Sequence, residues 1–256
     1  MATAKITIKT AADIEAMREA GRISARALKA ACDAAEAGVS TKEIDQIAED
    51  LIRGYGASPA FLGYGGFRGS VCASINAEVV HGVPSKSVKL YRGDLLSIDT
   101  GAIYKNWVGD NANTVVVGGD EATDDEGRRL IAVTREALYA GIEQCVPGNR
   151  LGDVCAAVGA VGQAAGLGIL RDYVGHGIGH QMHEDPDIPN FGRPGTGPRL
   201  EVGMVFAIEP MLTLGGERVM RRRDGWTVVT ADGSRAAHIE HTVAITADGP
   251  DILTLP

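Results

Sequence analysis

The histidines and acidic residues of this chain gather in two regions. Five of the six histidines lie between residues 176 and 241, together with Glu209 and Glu240. Upstream, Asp99 and Asp110 stand in strand-like segments, although aspartate is depleted in strands and an unpaired buried carboxylate is costly. Such clustering indicates a metal site or an acid–base site.

Asp99 and Asp110 are predicted to approach each other on a β-hairpin. The segments 94–103 and 108–117 have the composition of strands, and residues 105–106 lie between them as a turn. The two aspartates are then nearly opposite, so their side chains can converge on one face. Carboxylates that close repel unless a cation or a shared proton neutralises them. Two solvent-facing aspartates on edge strands are the alternative.

Two further carboxylates are predicted on strands near the C-terminus. Glu209 ends the apolar run G-M-V-F-A-I-E-P-M, which is typical of a buried strand, and Glu240 lies in A-A-H-I-E-H-T-V-A-I. Glu209 is either a buried ligand or a surface residue at the strand end. Side chains alternate along a strand, so we expect His238 on the face of Glu240. His241 is expected on the other face, in a packing or hydrogen-bonding role.

Three histidines lie in the segment Y-V-G-H-G-I-G-H-Q-M-H-E-D-P, residues 173–186. The spacing of His176 and His180 could suggest a zinc site on a helix, but Gly177 and Gly179 disfavour a helix. We therefore expect His176 to project from an irregular loop or a strand end.

Together, four carboxylates and one imidazole carry more negative charge than one hydrated cation needs. This set of ligands suits two cations. Oxygen-rich ligation favours Mn, Fe, Co or similar metals over a thiolate zinc site. Ions bridged by carboxylates stand ~3.5–4 Å apart, a separation that activates a shared water. The predicted ligands are Asp99, Asp110, His176, Glu209 and Glu240.

Capping boxes and glycine stops predict the elements that carry these residues. The predicted boxes are Thr10 with Asp13, Ser40 with Glu43, and Thr123 with Glu126. The first predicted helix begins at Thr10 and is expected to end at Gly38. The apolar face of this helix includes small residues such as Gly21, which suit a close contact of the helix with its neighbour. A fourth helix is predicted over about 151–165. The order of helix, helix and strands thus occurs twice, about 110 residues apart, which favours an internal duplication.

We expect one α+β catalytic domain over residues 1–256, with half-repeats of approximately 10–120 and 121–250 and a site in the cleft between them. The formal charge of −8 disfavours a broad nucleic-acid surface, and 45% hydrophobic residues exclude a disordered chain. No apolar run could span a membrane and no signal peptide is recognised, so a cytoplasmic location is expected. Four cysteines without a C-x-x-C pair are interpreted as free thiols.

Seven segments in order resemble the type I methionine aminopeptidases, which have the pita-bread metalloprotease fold. The resemblance runs from about residue 10 to residue 250. The segments are S-I-N-A-E-V-V-H-G-V-P (74–84), S-I-D-T-G (97–101), G-D-N-A (109–112), G-H-G-I-G (175–179), M-H-E-D-P (182–186), F-A-I-E-P-M (206–211) and I-E-H-T (239–242).

The resemblance implies that the enzyme removes the initiator methionine from nascent chains when the second residue is small, with two divalent ions of Mn, Fe, Co or Zn. Asp99 would chelate one ion, Asp110 and Glu240 would bridge both, and His176 and Glu209 would complete the other site.

The resemblance also implies roles in catalysis and substrate binding. Glu209 would transfer protons, His183 would hydrogen-bond the developing oxyanion, and His81 would hold the substrate amide. The residues that would line the methionine pocket are Tyr64, Phe67, Cys72 and Trp226.

Four positions depart from the family pattern without removing a ligand. Histidine stands at 180 where a residue such as arginine is common, Met182 replaces a common aromatic residue, His238 replaces the usual glutamine, and Phe61 stands where a small residue is frequent. These departures bear on pocket shape and metal preference.

Two alternatives compete with this assignment. A prolidase or Xaa-Pro aminopeptidase would share all five ligands, but such enzymes usually carry a large N-terminal domain, and only 98 residues precede Asp99. A non-catalytic binding module is less favoured because all five ligand types are present.

One basic loop stands out on this acidic chain. We predict that it contacts ribosomal RNA near the exit tunnel, the alternative being a solvated turn. We expect the protein to be a monomer that does not associate with membranes. The loop residues are Arg218, Arg221, Arg222 and Arg223.

Overall fold

Two blocks of paired helices, each followed by strands, make up residues 6–256, the part of the chain that the computed structural model describes. The helices are α1 (Ala11–Asp33), α2 (Thr41–Gly54), α3 (Asp125–Glu143) and α4 (Leu151–Ala164). The strands are β1 (Ser58–Pro59), β2 (Val71–Ile75), β3 (Glu78–Val80), β4 (Leu95–Tyr104), β5 (Trp107–Val116), β6 (Gly168–Ile169), β7 (Gly175–Gly177), β8 (Glu184–Ile188), β9 (Val205–Ile208), β10 (Met211–Thr213), β11 (Val219–Arg221), β12 (Val228–Thr230), β13 (Ala236–His238), β14 (His241–Thr246) and β15 (Gly249–Ile252).

The first two helices begin at the predicted capping boxes. The side chains of Thr10 and Ser40 each accept a hydrogen bond from the backbone N–H three residues later, and the acidic residue there accepts one in return. Helix α1 ends at Asp33, before the predicted stop at Gly38. The Gly38 N–H instead donates to the Leu90 carbonyl at 2.8 Å, so the glycine belongs to the following loop.

The predicted capping box of Thr123 with Glu126 is wrong. The N-cap of α3 is Asp124, whose carboxylate accepts a hydrogen bond from the Gly127 N–H at 2.8 Å. Aspartate caps helices as well as threonine does. The hydroxyl of Thr123 accepts a hydrogen bond from Arg235 at 3.3 Å instead.

Strands β4 and β5 form the predicted hairpin. Lys105 and Asn106 make its two-residue turn with φ values of 48° and 72°, as the mirror-image turns of hairpins require. Asp110 pairs with Gly101, two residues from Asp99 in β4. The two aspartates are therefore diagonal neighbours on one face rather than directly opposite.

Within residues 6–256, the strands form four sheets. In the first sheet β4 pairs with β1, β2 and β5, and the largest sheet has the order β15-β14-β9-β7-β8. Two three-stranded sheets have the orders β13-β10-β6 and β11-β12-β3. A single bridge between Ala112 of β5 and Glu240 connects the hairpin with the segment between β13 and β14.

Helix α1 lies directly on the hairpin because glycines face each other there. A Cβ atom on Gly109 would lie 2.5 Å from the Cα of Gly21, and one on Gly21 would lie 2.4 Å from the carbonyl oxygen of Leu253. The close contact predicted for the small residues of α1 is thus confirmed. It fixes the strand that carries Asp110 against α1, and α1 against the segment around Leu253.

Four apolar clusters fill the interior within residues 6–256, and the smallest of them contains Val79, Leu170 and Met211. One lies under α1 and α2, and another lies under α3 and α4. A third cluster contains residues from distant parts of the chain, among them Phe61, Phe67, Met182 and Val205. All four cysteines are free thiols. Within residues 6–256, no helix is long and apolar enough to cross a membrane.

Candidate active site

Paired strands bring the five predicted ligands together. Asp99 and Asp110 lie in the hairpin, and the Glu240 N–H donates to the Ala112 carbonyl at 2.9 Å. In the largest sheet, β9 ends next to Glu209 and pairs with β14, which follows Glu240, and with β7, which carries His176. The ligands therefore lie along one continuous path of paired strands.

A threonine fixes the hairpin against β14. The hydroxyl of Thr242 donates to the carbonyl of Asp110 at 2.7 Å and accepts from the N–H of Asp110 at 3.1 Å. Because Thr242 follows Glu240 by two residues, this exchange holds the two carboxylates in one register.

Side-chain distances describe a tight constellation. One donor atom each of Asp110, His176 and Glu240 lie within 4.8 Å of one another. The Nε2 atom of His176 lies 3.5 Å from Oε1 of Glu209. The Nδ1 atom of His176 lies 2.9 Å from the carbonyl of Gly177. A proton on Nδ1 completes that hydrogen bond and leaves the Nε2 lone pair free for a metal.

Burial raises the pKa of each acidic group in the constellation. The pKa values of Asp99, Asp110 and Glu240 lie well above the ordinary range because the carboxyl groups are desolvated and repel one another. Burial raises the pKa of Glu209 to about 8. Burial also lowers the pKa of His176 to about 3, so its imidazole is neutral.

The donor set fits divalent cations. Among residues 6–256, Oδ1 of Asp99, Oδ1 of Asp110 and Oε1 of Glu240 are buried without a hydrogen-bond partner. Buried polar atoms normally have partners. Carboxylate oxygens that point into a shared cleft are the ligands of such ions, and the positive charge would offset the mutual repulsion.

Two histidines, His183 and His81, lie beside the carboxylates but are not among the five predicted ligands. Nδ1 of His183 lies 2.8 Å from the Tyr64 hydroxyl, and its ring lies 4.3 Å from that of His176. His81 has a φ of 59° and packs edge-on against Tyr173, with ring centroids 5.6 Å apart. Burial lowers the pKa of His81 to about 4 and also lowers the pKa of His183 below its ordinary value, so both imidazoles are neutral at pH 7.

An apolar cavity of about 150 Å³ opens onto the carboxylates. Phe67 and Trp226 meet edge to face at 5.2 Å between centroids, and the buried thiol of Cys72 adjoins them. Tyr64 also lines the cavity, but it is 49% exposed and stands at the mouth. The four predicted lining residues thus border one cavity.

Two lining residues escaped the predicted set. Phe61 and Met182, noted above only as departures, are buried and line the same cavity. The apolar texture around each was the available signal, but it is equally typical of core residues.

Two of the three remaining histidines, His180 and His241, lie outside the constellation. The ring of His180 stacks on Trp107 at 3.7 Å between centroids, at the hairpin tip. Nδ1 of His241 lies 2.9 Å from the Thr254 hydroxyl, as expected for a residue behind the site.

Comparison with known proteins defines the class. The model of metallopeptidase family M24 matches residues 15–247. The chain therefore belongs to metallopeptidase family M24, and it uses divalent metal.

Within that family the similarity is to methionine aminopeptidases. The chain is 50% identical to the methionine aminopeptidase of Clostridium acetobutylicum, with 98% of this chain and 99% of that protein covered. It is 53% identical to methionine aminopeptidase 1 of Mycobacterium tuberculosis, with 96% and 94% covered. The predicted resemblance to type I methionine aminopeptidases is confirmed.

Solved structures confirm the pita-bread fold. The methionine aminopeptidase of Thermotoga maritima superposes with a TM-score of 0.96 at 45% identity, covering 98% of this chain and all of that one. The prolidase of Pyrococcus furiosus gives 0.77 at 28% identity, covering 97% of this chain but 65% of that chain. The prolidase alternative is not favoured.

We predict that chelation of divalent ions lowers the melting temperature and that adding them back restores it. Ions that bind the folded state at 100 times their dissociation constant stabilise it by about 2.7 kcal/mol. Asp110→Asn should reduce the rise in melting temperature on adding ions, because one charged ligand is lost. Asp248→Asn, at an exposed position, should leave that rise unchanged. Differential scanning fluorimetry with metal analysis measures both. A wild-type melting temperature that ignores chelator would contradict the prediction.

Proposed function

We propose that this chain removes the initiator methionine from nascent proteins in the cytoplasm, by metal-assisted hydrolysis, when the second residue is small. One observation carries the proposal: the cavity of about 150 Å³ is apolar at one end and bordered by the carboxylate cluster at the other. A methionine side chain in the apolar end would place its own carbonyl at the cluster.

The pocket suits a thioether. Phe67 and Trp226 offer ring edges and faces, which attract methionine sulfur. Cys72 and Met182 add soft, apolar surface. The neighbouring Phe61 narrows the same cavity, which favours an unbranched side chain such as methionine over a wider one.

Two divalent ions, of Mn, Fe, Co or Zn, are proposed for the cluster. Asp99 would bind one, Asp110 and Glu240 both, and His176 and Glu209 the other. Bound divalent ions supply Lewis-acid polarisation of the scissile carbonyl and lower the pKa of water.

Glu209 is proposed as the proton carrier. Hydrolysis adds one water across the amide bond, so a base must accept a proton and return it to the leaving nitrogen. The Glu209 carboxylate is 14% exposed and lines the cavity, where it would face a bound peptide.

His183 and His81 are proposed as hydrogen-bond donors to the substrate. When the Tyr64 hydroxyl donates to Nδ1 of His183, the ring proton resides on Nε2, which can donate to the developing oxyanion. His81 lines the same cavity and would hold the substrate amide.

The test of this function compares two peptide classes. Ion-free protein supplied with Mn, Fe, Co or Zn should release methionine from Met-Ala-Ser and leave Xaa-Pro peptides intact. Cleavage of Xaa-Pro peptides in preference to Met-Ala-Ser would replace this proposal with the prolidase alternative.

His183→Ala should reduce kcat without loss of metal. Removal of one oxyanion donor costs about 2.7–4 kcal/mol of transition-state stabilisation, or about 10²–10³ in rate. Tyr64→Phe should cost less, because it removes only the partner that orients the ring. Steady-state kinetics and metal stoichiometry on the same samples check this. Loss of metal in His183→Ala would mean that His183 is a ligand.

The basic loop is proposed to bind ribosomal RNA. All four of its arginines are exposed, and among residues 6–256 only Arg222 of the four forms an ion pair, with Glu78. Arg221 contacts Tyr173, which packs on His81. Arg218 and Arg223 are therefore the arginines to change without disturbing the site.

Charge reversal at Arg218 and Arg223 should weaken co-sedimentation with ribosomes and flatten its salt dependence, since fewer phosphate contacts release fewer counterions. Peptide hydrolysis should not change. Reversal of exposed Arg193 and Arg199 is the matched control. Equal co-sedimentation of the loop variant and wild type would refute ribosome binding through this loop.

A further inference from the structure

His238 is held rigidly at the edge of the carboxylate cluster. Its backbone N–H donates to the Thr114 hydroxyl at 3.0 Å, and its carbonyl accepts from the same hydroxyl at 2.8 Å. The residue is 2% exposed. With the backbone fixed on both sides, the imidazole has little freedom to turn away from the cluster.

The Nε2 atom of His238 points between two carboxylates. It lies 3.4 Å from Oε2 of Glu209 and 3.8 Å from Oε2 of Glu240. Both distances exceed those of an ordinary N–H···O hydrogen bond, about 2.7–3.2 Å. Within residues 6–256, this nitrogen has no hydrogen-bond partner, which is unusual for a buried polar atom.

Glu209 thus stands between two imidazoles at nearly equal distances. Nε2 of His176 lies 3.5 Å from one carboxylate oxygen, and Nε2 of His238 lies 3.4 Å from the other. Metal–ligand bonds of about 2.1 Å separate neighbouring ligand atoms by roughly 3.0–3.5 Å at right or tetrahedral angles. Donor atoms of Glu209, His238 and Glu240 all fall within 4.8 Å of one another.

We propose that His238 is a sixth ligand, which gives the ion held by His176 and Glu209 a second imidazole. The inference rests on the metal site of the proposed function. Imidazole suits iron and zinc, whereas carboxylate-rich sites suit manganese. The departure at position 238 therefore shifts metal preference away from manganese, in a chain whose other ligands are mostly carboxylates.

The competing role for His238 is that of a positioning residue. An Nε2–H that donates to Glu209 would orient the carboxylate without touching an ion. Glutamine could take over that hydrogen bond, but it could not replace an imidazole nitrogen as a ligand. The substitution His238→Gln therefore separates the two roles.

The experiment counts imidazoles on Co²⁺. Ion-free protein is titrated with Co²⁺ alone, and the exchangeable imidazole N–H signals displaced by the paramagnetic ion are recorded by proton NMR. Two such signals are expected in the wild type and one in His238→Gln. His241→Gln is the matched control, because His241 is a part-buried imidazole of the next strand that contacts Thr254, and it should keep both signals.

Competition binding supplies a second readout. The preference for Zn²⁺ over Mn²⁺ should fall about tenfold in His238→Gln and stay at the wild-type value in His241→Gln. A single displaced imidazole signal in the wild type overturns the proposal without any variant. Binding of no Co²⁺ would overturn the metal site itself, whereas failure to cleave Met-Ala-Ser with the ion bound would overturn only the peptidase function.

Discussion

Repulsion among four desolvated carboxyl groups is the constraint around which this molecule is arranged. Asp99, Asp110, Glu209 and Glu240 would each be stable at the surface, yet the fold buries all four in one cleft, where the charged forms are penalised by lost hydration and by one another. Such a cluster persists only when cations or bound protons neutralise its charge. Several interactions fix the backbone around the cluster. They include the bridge between Ala112 and Glu240 and the hydroxyl of Thr242, which bonds both the N–H and the carbonyl of Asp110.

The apolar pocket depends on the same arrangement. The cluster that contains Phe61, Phe67 and Met182 draws residues from both blocks of the chain, so the surface that joins the halves is also the wall of the cavity. The apolar wall excludes water from the cavity. Because less water is present to screen the carboxylates, the electrostatic interactions there are stronger. Substrate selection and metal affinity are therefore properties of one interface.

Local patterns predicted most of the elements, and they named residues that the fold brings together. The capping boxes at Thr10 and Ser40, the hairpin turn and the faces of His238 and His241 all follow from spacing within a few residues. The helix start at Asp124 was missed because adjacent residues competed for one capping role. The assignment of the halves as repeats, and of each residue as a ligand, stays a prediction.

Contacts between distant residues could not be predicted from spacing. No periodicity in the sequence relates Phe61 to Met182. Likewise, the sequence of β13 does not indicate that the ring of His238 lies beside the carboxylate of Glu209. Such contacts arise from sheet pairing over long separations. Position 238 was recognisable as unusual, but its orientation toward two carboxylates required the assembled strands.

The contact between α1 and the C-terminal segment sets when the site can exist during synthesis. Gly21 packs on the carbonyl of Leu253, so this contact of α1 can form only after the segment around Leu253 has been made. About 140 residues separate Asp99 from Glu240, which at roughly 5–20 residues per second takes about 7–28 s to translate. During that interval the hairpin carries its two aspartates without the glutamates that complete the cluster. The cluster can therefore be complete only after the segment from Glu240 to Leu253 has been synthesised.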